Sequence, residues 1–101
     1  MGDGAGGTMS DAGCRATLEI VNRLGLHARA AVLFVQAAAK FDAQVTVTKD
    51  GQSVDGRSIM GVMMLAAEQG SHIDVETSGP QARESLEALE ALVAGRFNEP
   101  E

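Results

Sequence analysis

Three stretches of this chain alternate apolar and polar residues with a period of two, and in each the polar set makes one continuous face. From Ala16 to Val21, Leu18 and Ile20 stand on one side and Thr17 and Glu19 on the other. Val45 and Val47 alternate with Gln44, Thr46 and Thr48, in a stretch that ends at Lys49. Ile73, Val75 and Thr77 alternate with Asp74 and Glu76. Such strands are wet on one face and dry on the other, so a sheet built from them needs its helices gathered on the dry side.

Between the strands the period changes. Ala31, Phe34, Val35, Ala38 and Phe41 fall on one stripe of an alanine-rich run from Ala28 to Phe41, which predicts an amphipathic helix. Asp50-Gly51 tolerates the two positive φ values of a tight hairpin, so a short strand around Ser53 and Val54 is expected antiparallel to its predecessor. Ser58 precedes the apolar run Ile59–Leu65 and reads as the N-cap of a short helix, a reading that Gly61 weakens. A last helix is expected to open with Gly79 as N-cap and Pro80 at its first position and to stop at Gly95. It would bury Leu86, Leu89, Leu92 and Val93 and turn Glu84, Glu87 and Glu90 to water. The order strand, helix, strand, strand, helix, strand, helix describes an α+β open-faced sandwich, a four-stranded antiparallel sheet with three helices on one face. Residues 1–13 are glycine-rich and lack apolar periodicity, so they read as a flexible extension ahead of one domain over 14–97, with 98–101 as a C-terminal tail.

Composition narrows the function classes. A chain of 101 residues with 45% hydrophobic content holds one modest core, and with 3 Phe, no Trp and no Tyr that core is aliphatic. A formal charge of -6 argues against nucleic acid as a partner, because phosphate contacts need clustered Lys and Arg. The single cysteine, Cys14, cannot form an internal disulfide and reads as an incidental thiol. No apolar run is long enough to span a bilayer and no secretory signal shows, so a cytoplasmic protein without a membrane partner is expected. His72 stands at a strand start with no second ligand nearby, whereas a metal site needs three or four donors, so it reads as a solvated or core-edge histidine and no metal is expected.

The chemistry gathers at Gly25-Leu26-His27-Ala28-Arg29-Ala30-Ala31, where a histidine stands between a turn-prone glycine and a helix start. A helix N-terminus offers N–H groups without intrahelical partners and the positive end of the dipole, which together favour an anion. A histidine there is biased towards neutral imidazole, whose free lone pair can attack phosphorus. Arg29 can bring a planar guanidinium to the same phosphate oxygens. These local features fit equally a histidine that only caps the helix.

Gly25-Leu26-His27-Ala28-Arg29, preceded by Asn22 and followed by Ser58-Ile59-Met60-Gly61-Val62-Met63, resembles the HPr family, the histidine-containing phosphocarriers of the bacterial phosphotransferase system. The likeness covers about Ala16 to Phe97. It implies an open-faced sandwich with no cofactor, which accepts a phosphoryl group from phospho-enzyme I on His27, at the ring nitrogen nearer the backbone, and passes it to an EIIA-type acceptor. Arg29 would steady the phosphate. Such a chain is a phosphotransfer intermediate rather than a stand-alone enzyme, and is expected to be a monomer. Where the family often has proline after the arginine, this chain has Ala30, which leaves an extra first-turn donor. That departure keeps open a regulatory, nitrogen-related branch acting mainly by protein binding.

The resemblance also implies that Ser58 is the serine a dedicated kinase phosphorylates in some bacteria. Ile59, Met60 and Met63 would form an apolar docking patch for partners, extended on the first helix by Val32, Leu33 and Gln36, while Val62 and Leu65 are expected in the core. Methionine suits a surface that must accept several proteins. Two other classes fall behind. A pure binding module of this fold would not need His27, and a hydrolase or transferase would need a nucleophile triad, a metal cluster or a phosphate loop that the sequence lacks.

Overall fold

The alternating stretches form strands and the stripe forms a helix. The computed structural model describes residues 13–101, which run β1 (Gly13–Glu19), α1 (Ala28–Ala39), β2 (Gln44–Lys49), β3 (Gln52–Asp55), α2 (Ile59–Met64), β4 (His72–Ser78) and α3 (Ala82–Ala94), followed by a single turn at Arg96–Asn98. The strands lie in the order β1-β4-β2-β3 and every neighbouring pair is antiparallel.

Register explains why one face is dry. Ala16, Val75, Val47 and Val54 form one row across the sheet, and Cys14, Thr77 and Val45 form the next. The other face carries matching polar rows, with Thr17 Oγ1 donating to Asp74 Oδ1 at 2.6 Å and Thr48 and Ser53 sharing a hydroxyl hydrogen bond of 2.7 Å. α3 covers β1 and β4, and α1 packs against both α2 and α3. Phe34 of α1 and Leu89 of α3 are fully buried at the centre. Truncating Phe34 to alanine would cost roughly 3–5 kcal/mol.

Several boundaries differ from expectation, each for a reason outside the local pattern. β1 begins at Gly13, within the expected extension, because Gly13 and Cys14 pair with Ser78 and Thr77 of β4, which buries Cys14 in the core. The rest of that extension lies outside the described residues. α1 stops at Ala39 with Lys40 as C-cap, and its buried stripe is Ala30, Ala31, Phe34 and Ala38; Val35 and Phe41 are only partly buried. α3 opens at Ala82 with Gln81 as N-cap, so Gly79 and Pro80 lie in the preceding turn. The backbone N–H of Gln81 donates to Asp42 O at 3.0 Å and the Gln81 side chain accepts from Asp42 N at 2.8 Å, which fixes where that helix starts. Gly95 is its C-cap, as expected.

Other local expectations hold. Asp50 and Gly51 take φ values of 51° and 82° in the β2–β3 turn. Ser58 caps α2, its Oγ accepting from Gly61 N at 3.1 Å. The weakness at Gly61 also has a cause, since a Cβ there would come within 3.3 Å of Asp55 O and Val54 Cβ.

The loop between β1 and α1 is stitched to the loop between α2 and β4. Ile20 N donates to Ser71 O, Gly70 N to Ile20 O, and Leu26 N to Ala67 O at 2.9 Å. Gly25 makes this approach possible: its φ is +67°, and a Cβ would stand 2.4 Å from Ala67 O. Gly51 shares the positive φ but has nothing within 4 Å. Gly51→Ala should therefore cost about 1 kcal/mol, the penalty of left-handed backbone alone. Gly25→Ala adds an overpacking cost and should reach roughly 2–4 kcal/mol. Thermal unfolding should separate the two by at least about 4 °C; equal melting temperatures would mean that the Gly25 contact relaxes freely.

Candidate functional site

His27 is the N-cap residue of α1 by its backbone, which is extended (φ -72°, ψ 179°), and its carbonyl accepts from Ala31 N at 2.9 Å. Its side chain makes no capping hydrogen bond. The ring turns instead towards the segment after α3, where Nε2 pairs with Glu99 Oε2. Nδ1 makes no hydrogen bond among the described residues. With a side chain 24% exposed, the ring is partly open to a partner.

Glu99 is itself held. Its other carboxylate oxygen, Oε1, accepts from Asn22 Nδ2 at 3.0 Å, and Asn22, fully buried, also donates to Gly25 O at 2.9 Å. Asn22 thus ties the turn before His27 to the carboxylate that touches His27. Burial works against the charged form of Glu99, yet the hydrogen bonds from His27 and Asn22, with the nearby charges of His27 and Arg29, hold its carboxyl below the ordinary value of 4.5.

Sequence reasoning placed residues 98–101 in a tail and missed this contact. The readable signal was Phe97, a large apolar residue beyond the Gly95 stop. Phe97 is 2% exposed and packs in the core cluster, and Arg96, Phe97 and Asn98 all take left-handed φ values of 59°, 52° and 64°. That turn brings the chain back across the start of α1, where Arg23 N donates to Glu101 O at 2.9 Å and Arg23 Nη1 pairs with Glu101 Oε1 at 2.8 Å.

Arg29 lies exposed on the first turn of α1. It lines a shallow groove of about 280 Å³ together with Arg23, Leu24, Glu99, Pro100 and Glu101. A second groove, about 500 Å³, runs from His27 and Leu26 to Ala66 and Gln69 in the loop that follows α2. The loop that leaves α2 therefore borders the histidine. On α2, Ile59, Met60 and Met63 are exposed, Met60 at 74%, and Val62 and Leu65 are buried. Met64 and Leu24 are exposed as well, which the sequence reading did not single out. On α1, Val32 and Leu33 are half-buried and Gln36 is exposed. His72 is exposed at the start of β4, away from these elements in the chain. Among the described residues, no group of three or more His, Cys, Asp or Glu could hold a metal ion, and no helix is long and apolar enough to cross a membrane.

The lowered Glu99 value sets a direction for acid. A carboxyl held below 4.5 in the fold contributes stability that is fully present above that value and is lost as pH falls through it into the lower folded value. The stability gap between wild type and Glu99→Ala, measured by denaturant unfolding, should shrink as pH falls below 4.5. A gap that widened below that value would contradict the pairing.

Comparison with known proteins places this geometry. The family described as "PTS HPr component phosphorylation site" matches residues 14–95. The phosphocarrier protein HPr of Cupriavidus necator is 52% identical over 82 residues, which cover 81% of this chain and 92% of that protein. Among solved structures, HPr-C-His from Thermoanaerobacter tengcongensis superposes with a TM-score of 0.83 at 42% identity, covering 86% of this chain and 98% of that one. The phosphocarrier protein HPr of Bacillus anthracis gives 0.78 at 45% identity, covering 81% and 98%. The family match spans nearly all of the described residues, and the sheet order and the helices on one face are those of the same sandwich: the chain belongs to the HPr family of phosphocarrier proteins.

Proposed function

We infer that His27 is the residue that carries the phosphoryl group, accepting it on Nδ1 from phospho-enzyme I and passing it to an EIIA-type acceptor in the cytoplasm, with the carrier acting as a monomer. One observation supports this above the others: the imidazole of the α1 N-cap does not cap the helix, and with Nε2 engaged by Glu99 its Nδ1 is left open. In the transfer, the Nδ1 lone pair forms a bond to phosphorus as the donor's bond to phosphorus breaks and its electron pair leaves with the donor. Arg29, exposed one residue beyond Ala28, is placed to offer its guanidinium to the transferred oxygens, and the first-turn N–H groups of α1 add partial positive charge. The relatives bear the name phosphocarrier protein HPr and the matching family is described as a PTS component, which favours that role over a nitrogen-related regulatory one.

Ile59, Met60 and Met63, with Val32, Leu33 and Gln36, form the surface on which we place partner docking. Its support is exposure of large apolar side chains on a helix packed against α1. Ser58 has a role whether or not it is modified, since it caps α2. A phosphate on it would sit at a helix start bordering an apolar patch, tolerable for folding but costly to desolvate on docking.

His27→Ala should abolish acid-labile, base-stable phosphate after incubation with enzyme I and phosphoenolpyruvate. Full retention of that phosphate would move the carrier site to His72 and end this reading. Met60→Asp and Ser58→Asp should each slow the initial rate of His27 phosphorylation. Met60→Asp should change stability by no more than about 0.5 kcal/mol, as exposed substitutions do. Unchanged rates in both variants would remove docking from α2.

A further inference from the structure

We propose that Glu99 is a positioning residue for phosphoryl transfer: its carboxylate keeps the His27 proton on Nε2, leaves Nδ1 as the lone-pair nitrogen, and balances the charge the ring gains when Nδ1 is phosphorylated. The proposal rests on the reading of His27 as the phosphorylated residue.

An ionised carboxylate only accepts hydrogen bonds, so a ring nitrogen paired with one must carry the proton. Neutral imidazole has one such proton, and placing it on Nε2 makes Nδ1 the nucleophile. When Nδ1 takes the phosphoryl group, the N–P bond forms, the donor's bond to phosphorus breaks, and the Nε2 proton stays. The ring then bears a positive charge. Glu99 faces that charge directly, as the buried aspartate of a serine-protease triad faces its imidazolium. Onward transfer breaks the N–P bond with its electron pair returning to Nδ1, which restores the same neutral tautomer. No proton has to leave or enter through either step.

The carboxylate is well fixed for this work. Buried Phe97 anchors the segment behind it, Asn22 donates to its Oε1, and Arg23 bonds Glu101 through both backbone and side chain. Arg29 lies in the same groove and offsets the carboxylate's repulsion of an incoming phosphate. Asn22 adds a sharper constraint. Its two amide hydrogens go to Gly25 O and Glu99 Oε1, so its orientation is set by two acceptors. In Glu99→Gln, the side-chain oxygen must therefore stay on Asn22, and the new NH₂ group points at His27 Nε2. A donor there requires Nε2 to accept, which moves the ring proton to Nδ1 and removes the nucleophile. Glutamine should thus be worse than alanine.

The test uses the full chain without partner proteins. His27 tautomers are read from ¹⁵N ring shifts of unphosphorylated protein, and phosphorylation rates are measured with phosphoramidate, a small donor that needs no docking. We expect Nε2–H in wild type, a mixture in Glu99→Ala and mainly Nδ1–H in Glu99→Gln. Rates should fall in the order wild type, Glu99→Ala, Glu99→Gln, the last roughly 10- to 100-fold below wild type, the scale of lost second-layer partners. Melting curves confirm that the variants are folded. Wild-type tautomer in Glu99→Gln, or a glutamine rate equal to or above that of alanine, overturns the proposal. Failure of the His27 reading is distinct, because phosphoramidate would then label His27→Ala as fast as wild type.

Discussion

The hydrogen bond from Leu26 N to Ala67 O is the joint on which the functional end of the molecule depends. It holds only because Gly25 has no side chain, and it joins two connections that are far apart in sequence. One leads directly into α1, the other directly out of α2. The residue after Leu26 is His27, and the residue before Ala67 is Ala66, which turns the chain with a left-handed φ of 50°. With Leu26 and Ala67 both buried at this seam, the start of α1 and the end of α2 form one packed unit. An imidazole on one and a methionine surface on the other therefore keep a fixed relation, which a partner reading both at once requires.

Electrostatics at this end runs against the charge of the whole chain. A molecule with a formal charge of -6 takes up a dianionic group at one spot on its surface. Screening makes this possible, since charges beyond about 8 Å count for little at physiological ionic strength. At the proposed site on His27, what counts lies close: the amide-rich start of α1, Arg29 on its first turn, and a carboxylate turned to the far nitrogen of the imidazole. Glu99 repels an anion there, but its two oxygens are turned to His27 and Asn22 and the Arg29 guanidinium shares its groove.

Much of this was legible locally. Alternation read β2 and β4 closely, Asp50-Gly51 read the hairpin, and Gly25 through Arg29 marked the proposed site as a short contiguous motif, although the local features fitted a plain helix cap equally. Ser58 as a cap also follows from local rules, whereas the exposure of Met60 was expected only from the family resemblance. The misses share a cause. β1 starts at Gly13 because β4 is long enough to pair with it, and nothing in Gly13-Cys14 alternates strongly enough to say so. α3 skips the Gly79-Pro80 signature because Asp42, from a distant loop, holds Gln81 at both its backbone and its side chain. Glu99 meets His27 across most of the chain, through a turn in which Arg96 and Phe97 take left-handed values that, unlike that of Asn98, no propensity favours. Burial of Phe97 stabilises that turn, and burial is a property of the packed whole.

The place of β4 in the sheet governs how this chain can fold at all. It is the last strand to be made, yet it lies inside the sheet and pairs with both β1 and β2. A chain emerging from the ribosome can form the β2–β3 hairpin and nascent helices, but β1 has no strand to join until His72–Ser78 is free. The dry face of β1 waits exposed through that interval. Closure then joins the two ends of the chain in one step, the kind of non-local pairing that slows folding and makes it concerted. In the finished protein the same topology means that no strand pair involving β1 can survive the loss of β4. The amides of β4 that face β2 should therefore exchange with solvent only through opening of the sheet's centre, and serve as its internal clock.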